Sequence, residues 1–291
     1  MQKIDQYTNG NYSVELYDDG TKIRTTQHDS FEAEFPESID LKITNYCNKN
    51  CPMCHEESSK DGEHGNLNHY FFNTLRKGTE LAIGGGNPLG HPCLTTFLHQ
   101  MYHQGVKCNL TVHQDHFMSR VNMFEDMCSY GIISGLGISV HRPISGLRSI
   151  LKRFPNAVLH TINGITDMNL FKYYADNDLK VLILGYKNWG RGSSYYNEQV
   201  ESVKKELYRN IHSVLNGYKV VSFDNLAINQ LNVRRVFTTD EWNTFYMGDD
   251  GQHTMYIDVV KGEYAKNSTS PNRYNIKSSI DEMFLHIKGE K

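Results

Sequence analysis

The sequence has no stretch approaching the ~20 apolar residues of a membrane-spanning helix, so no such helix is expected. Its first residues, Met1 to Asp5, carry no apolar leader. A reducing cytoplasm is therefore the expected location. Neither sign of charge dominates: 30 Lys and Arg face 33 Asp and Glu, a formal −3. That leaves no global electrostatic drive toward nucleic acid or an anionic membrane. No repeat or low-complexity run is visible. Cysteine is scarce, six residues in 291, with no second C-x2-C pair and no later cluster. Cys93, Cys108 and Cys128 are isolated, as small buried hydrophobes usually are. A disulfide framework is a poor fit to that distribution.

The other three cysteines are crowded together. Cys47, Cys51 and Cys54 form C-x3-C-x2-C directly after a strand-like run, Ile39–Thr44. Thiolates this close can converge on one soft metal site, of zinc, copper(I) or iron–sulfur. Zinc closes its tetrahedron with four ligands, so His55 or His64 would have to complete it. A cubane iron–sulfur cluster takes four cysteines, and three leave one iron open.

At 33.5 kDa the chain is long enough for one sizeable core. Tyr12–Tyr17 alternates apolar and polar residues, Asp18–Gly20 supplies a turn, and Thr21–Thr26 returns, which predicts a β-hairpin. Residues 27–37 read as a polar linker. Strand-like runs follow at 39–44, 80–83, 107–113, 132–141, 157–162 and 180–184. Helix-like stretches fall near 68–77, 93–104, 118–129, 144–153 and 167–177. Such alternation implies parallel βαβ units. A long helix over 197–216, a strand over 219–223 and a small α+β tail complete the expected order. The tail should hold a second hairpin around Asp249–Gly251, before 254–260. The expected division is 1–37 hairpin and linker, 38–235 α/β unit, 236–291 extension.

The cysteine motif on a strand-to-helix loop resembles the signature of the radical S-adenosylmethionine (SAM) superfamily. The resemblance covers roughly residues 38–190. It implies a partial (β/α)6 TIM-like barrel, and an oxygen-sensitive [4Fe-4S] cluster held by Cys47, Cys51 and Cys54. SAM would chelate the open iron, and one electron would split it to a 5′-deoxyadenosyl radical that takes a hydrogen atom from the substrate. Met53 matches the apolar position that the family sets beside the adenine. Gly84, Gly85, Gly86 and Asn87 resemble its Gly-Gly-Glu-Pro segment, with Asn87 where Glu is usual. Ser139 and Asn163 match polar contacts to the ribose, methionine or carboxylate of SAM, and Gly185 and Tyr186 the backbone that pairs with adenine. At the strand ends, where such barrels do their chemistry, His113, His141 and Arg191 are the candidates for handling substrate. Gln114, His116 and Lys187 stand close by in sequence.

The tail resembles the hairpin of an auxiliary domain found in peptide-modifying relatives, without its cysteines. A peptide or protein substrate is therefore the first expectation, and a small molecule or nucleoside the second. The resemblance also implies an electron donor such as flavodoxin or ferredoxin. A zinc-stabilised, non-enzymatic binding module is the reading outside catalysis.

Overall fold

A computed structural model describes residues 2–290. The chain folds into two sheets and ten α-helices among those residues. The first sheet has three antiparallel strands, β1 (Lys3–Asn9), β2 (Tyr12–Tyr17) and β3 (Lys22–Thr26), in that order. The sequence reading covered only the last two. β1 escaped it because most of its residues are exposed and only partial alternation shows.

The second sheet has ten strands. In chain order they are β4 (Ser38–Thr44), β5 (Glu80–Gly85), β6 (Lys107–His113), β7 (Gly135–Ser139), β8 (Ala157–Ile162), β9 (Asp176–Leu184), β10 (Tyr218–Phe223), β11 (Thr254–Asp258), β12 (Glu263–Ala265) and β13 (Tyr274–Asn275). Their spatial order is β10-β9-β8-β7-β6-β5-β4-β11-β12-β13. Pairing is parallel from β10 through β11, and antiparallel between β11, β12 and β13. The fold class is mixed α/β with a large parallel sheet. β11 was not expected there: it lies beside β4, with Ile39 opposite Met255.

Period-two alternation divides the parallel strands. Ile39, Leu41 and Ile43, Ile83, Leu110, Ile138, Leu159 and Val181 are all buried. They form the main core with the helices, among them α1 (Leu94–Gln104) and α3 (Val121–Ser129). The opposite face carries Ala82, Asn109, Thr111, Gly137, His160 and Leu182, around a cavity of about 470 Å³. Tyr17, Asp19 and Thr21, from the end of β2 and its turn into β3, also line it. Lys180 Nζ donates to the Asp19 carbonyl at 2.5 Å, and Asn156 Nδ2 to that of Asp18 at 3.0 Å. The N-terminal sheet is thus fastened where the strands of the large sheet begin.

Two expectations fail locally. No α-helix forms over 68–77, only a 3-10 turn at Tyr70–Thr74. Its first residue has no side-chain cap, and adjacent Phe71 and Phe72 are both buried, a demand that a one-sided helix meets poorly. The tail hairpin joins β11 to β12 through 259–262 instead of turning at Asp249–Gly251. Asp258 Oδ1 accepts from the backbone N–H groups of Val260 and Lys261, and Gly262 takes φ +72°. That Asx turn competes successfully with the Asp-Gly signal. Gly251 instead bends the chain just before β11, at φ +84°.

Candidate functional site

The cysteines sit on the loop leaving β4. Its two limbs are stitched by backbone bonds: Cys47 N–H to Ser59 O at 2.7 Å, Asn45 N–H to Glu63 O at 2.8 Å, Ser59 N–H to Asn45 O at 3.1 Å. At the tip, Cys54 N–H donates to Cys51 O at 3.2 Å. Arg191 then clamps the loop from outside, Nε to Cys51 O at 3.1 Å and Nη2 to Ser58 O at 3.0 Å. Its guanidinium therefore holds the cysteine loop. Arg191 begins a short helix, α6 (Arg191–Tyr195), preceded by Gly190 at φ +52°. A Cβ on Gly190 would meet His55 O at 2.6 Å, so only glycine lets the two loops meet.

Burial pushes the Cys51 thiol up, the nearby Cys54 and Cys47 add to the shift, and Arg191 opposes it. Crowded sulfur atoms that resist sharing negative charge are what a bound cation relieves. All six cysteines are free.

The glycine run proves to have two parts. Gly86 N–H donates to Thr44 O at 2.7 Å, and Asn87 N–H to Tyr46 O at 2.6 Å. A Cβ on Gly85 (φ +106°) would lie 2.4 Å from Thr44 O, and one on Gly86 2.2 Å from Tyr46 O. These two glycines thus let the root of the cysteine loop dock against β5. Gly84 differs. Its Cβ would meet only Thr111, at 3.9 Å, on the cavity face.

Three further strand ends surround this point. His113 closes β6 and caps α2 (Gln114–Met118): its Nδ1 accepts from the Asp115 N–H at 3.1 Å. The His113 and His141 rings lie 5.2 Å apart. Burial, then His141, lowers the His113 pKa to about 4, and burial lowers that of His141. Burial thus favours the neutral form of both rings. Gln114 Oε1 accepts from the His141 backbone N–H at 3.0 Å. His116 Nε2 lies 2.8 Å from Asn48 Oδ1, within the cysteine loop. Ser139 pairs with His113 on one side and His160 on the other, and is half-buried. Met53 is half-buried as well, between Cys51 and Cys54.

The end of β9 is held by side chains. Gly185 N–H donates to Asp224 Oδ1 at 2.8 Å. Tyr186 N–H donates to Gln230 Oε1 at 2.9 Å, and Gln230 Nε2 to Tyr186 O at 2.8 Å. Both N–H groups and the Tyr186 carbonyl thus have side-chain partners in this structure. Gln230 lies on α8 (Asn225–Leu231), capped by Asp224, whose Oδ1 also accepts from the Ala227 N–H at 2.7 Å. The same Gln230 accepts from Asn163 Nδ2 at 3.0 Å. Sequence reasoning missed Gln230 because α8 lies beyond the expected sixth strand; Asp-Asn-Leu-Ala after a strand was the available capping signal.

Lys42 was missed too. It is a lysine 5% exposed on β4, 2.5 Å from Glu56 Oε2 and 3.0 Å from Asp258 Oδ2. Burial opposes ionisation of Glu56, but His55 and Lys42 hold its carboxyl well below the usual range. His55 Nε2 is also 3.3 Å from Lys187 Nζ, which donates to Ser268 Oγ at 2.8 Å. His64 Nδ1 lies 2.8 Å from Thr44 Oγ1, at the root of the loop. Among the described residues, the group of three side chains whose ligand atoms all lie within 4.8 Å of one another is Cys51, His113 and His141, which shares Cys51 with the cysteine trio; the trio itself is not gathered that closely.

Six buried atoms at this end of the sheet have no hydrogen-bond partner: Asn45 Oδ1, Ser58 Oγ, Asn87 Oδ1, Gln114 Nε2, His141 Nδ1 and Asn163 Oδ1. Asn163 is 0% exposed and Asn87 7%. Unmet buried polar atoms are costly. A polar ligand at the strand ends would give such atoms partners.

No family model matches the chain, and no curated protein matches it. Solved structures do. SuiB of Streptococcus suis bound to S-adenosylmethionine aligns with TM-score 0.59 and 12% identity, over 87% of this chain and 66% of SuiB. SuiB bound to the precursor peptide SuiA aligns with TM-score 0.59 and 12% identity, over 87% and 65%. SuiB alone gives TM-score 0.55 and 12% identity over 87% and 66%. The chain thus spans just under two thirds of SuiB's length and shares its fold.

Proposed function

We propose that this chain is a radical SAM enzyme acting on a peptide or protein. The observation that carries the reading is the cysteine trio, on a clamped loop at the end of β4, at the same end of the sheet as the open position at Gly84 and the unpaired buried atoms. Cys47, Cys51 and Cys54 would hold a [4Fe-4S] cluster, which when bound supplies the electron that cleaves SAM. Asn87 Oδ1 and Asn163 Oδ1 are acceptors suited to the ammonium and hydroxyl groups of SAM. His113 and His141 stay neutral and border the space left for substrate. The peptide substrate is supported by the shared fold with SuiB, which has been crystallised with a precursor peptide. An external one-electron donor of the flavodoxin or ferredoxin type, and a reducing cytoplasm, belong to the same proposal. No described helix is long and apolar enough to cross a membrane.

Anaerobic reconstitution of the full chain tests this. About four irons with matching sulfide should bind per chain, and 5′-deoxyadenosine should form from SAM under dithionite. One zinc per chain, without iron uptake, would instead support the Cys51, His113 and His141 group as a zinc site.

The opening at Gly84 yields a second expectation. Gly84→Val adds a Cβ that meets only Thr111, at 3.9 Å, so melting should change little. SAM affinity should fall at least about tenfold, or ~1.4 kcal/mol, in anaerobic equilibrium dialysis. Gly85→Val is unsuited to this test, since it strikes the Thr44 carbonyl and would disturb the pairing of β4 with β5. Undiminished SAM binding by Gly84→Val would move the cofactor away from β5.

A further inference from the structure

The Cys51 sulfur and one ring nitrogen of each of His113 and His141 lie within 4.8 Å of one another. One thiol and two imidazoles invite a reading as metal ligands. The hydrogen bonding of His113 points elsewhere. Its Nδ1 accepts the Asp115 backbone N–H at 3.1 Å, as the cap of α2. A nitrogen that accepts a hydrogen bond carries no proton, so the proton of the neutral ring sits on Nε2. Nδ1 has its lone pair engaged, and Nε2 offers N–H. To ligate a metal the ring would have to give up the cap or ionise to imidazolate.

Other contacts hold the ring in that state. The His141 and His116 rings flank it at 5.2 and 5.8 Å. The nearest carboxylate, Asp115, is already engaged by Lys49 at 2.8 Å and Arg142 at 2.6 Å, so it competes weakly for the imidazole. Asp115 Oδ2 is 3.7 Å from His113 Nδ1, on the capping side of the ring. The N–H at Nε2 has no hydrogen-bond partner among the described residues.

We propose that His113 donates a hydrogen bond from Nε2 to the sulfur of Cys51, and is a positioning residue that raises the reduction potential of the cluster. The inference rests on the cluster reading above. Donors to cluster sulfur offset the negative charge gained on reduction, and so favour the reduced state. His113 thereby helps the cluster take an electron, and does not have to touch SAM or substrate.

The test is an anaerobic redox titration of the reconstituted full chain, followed by electron paramagnetic resonance. His113→Asn keeps an acceptor over the Asp115 N–H, since Asn is a strong N-cap, and removes the distal donor. His113→Gln does the reverse, restoring an N–H near the Nε2 position without the cap. The Asn variant should match the wild type in iron content and melting. Its reduced-to-oxidised ratio at fixed poise should fall roughly tenfold, about 59 mV for one electron. The Gln variant should return toward the wild-type potential. An unshifted potential in a folded, four-iron His113→Asn would overturn the proposal. So would a Co²⁺ thiolate charge-transfer band in the cluster-free wild type that disappears in the same variant, because His113 would then be a ligand. Should the Asn variant fail to fold, His113→Leu, which also lacks the donor, takes its place against the Gln variant: a lowered potential in Leu that Gln restores supports the donor, and an unshifted Leu variant overturns it. The iron content of the wild type reports separately on the cluster reading; without a cluster in the wild type, both fall.

Discussion

Cys51→Ala should leave a folded protein that neither assembles a complete cluster nor forms 5′-deoxyadenosine above background. The loop does not depend on the thiol for its shape. Arg191 and the Cys54 N–H hold Cys51 by its carbonyl, and the limbs are joined by Cys47 to Ser59 and Asn45 to Glu63. An alanine keeps all of those backbone bonds. What it removes is one thiolate of three, and with it the protein ligand of one iron. The expected readings are loss of the brown visible absorption, iron well below about four per chain, and a melting temperature within a few degrees of wild type. Cys47→Ala and Cys54→Ala should behave alike. A Cys51→Ala protein with full iron and normal SAM cleavage would dismantle the functional proposal.

The largest stability effect is expected far from the cysteines, at Glu37. Its side chain is 1% exposed. It accepts from Arg24 Nε at 2.8 Å, Lys22 Nζ at 3.1 Å and Tyr12 Oη at 2.6 Å. His253 Nδ1 lies 3.6 Å away and 3.1 Å from Tyr12 Oη. One carboxylate thus joins the N-terminal sheet, the start of β4 and the segment before β11. Glu37→Ala leaves Lys22 short of one carboxylate and Arg24 without its only ion pair among the described residues, in a place with little water. Removing one partner from a buried ion pair typically costs about 3–5 kcal/mol, which for a chain of this size lowers melting by on the order of 10 °C. Burial raises the Glu37 pKa, but Lys22, Arg24 and Tyr12 outweigh it and the net shift is downward. A depressed carboxylate stabilises the fold above its unfolded pKa, and the gain is lost as pH falls through the folded value. The wild type should therefore lose part of its stability on acidification below the ordinary glutamate range, and Glu37→Ala should lose less. Urea midpoints across pH check both; equal acid sensitivity in the two proteins would rule out this role.

Much of the large sheet was legible because strands such as β6 and β8 alternate strictly. Lys107–His113 and Ala157–Ile162 have the same bounds in sequence and structure. The core-facing residues of β4 to β9 follow from that period. Partnership was not legible. Nothing in Thr254–Asp258 says that it pairs with β4 rather than folding apart, since a strand's own pattern names a face and not a neighbour. At the candidate site, residue types were readable but occupancy was not. Arg191, Gly185 and Tyr186 stand at the expected strand end, yet their hydrogen bonds go to the cysteine loop, Asp224 and Gln230. Gly85 and Gly86 likewise serve the close approach of two loops, and only Gly84 opens toward the cavity. Such distinctions depend on what lies across the space, which spacing alone does not encode.

The place of β11 has a consequence for synthesis. β4 leaves the ribosome early, and β5 can join one side of it soon afterwards. Its other side waits for Thr254–Asp258, so the strand bearing the cysteine loop spends most of translation with an open edge. Pairing at such sequence separation is slow, and open edges recruit strands from other chains. Lys42 lies in that exposed stretch, between Leu41 and Ile43. A charge there discourages intermolecular pairing in the nascent chain. When β11 arrives it brings Asp258, which meets Lys42 at 3.0 Å. The same ammonium that guards the unfinished edge then becomes the ion pair that closes it.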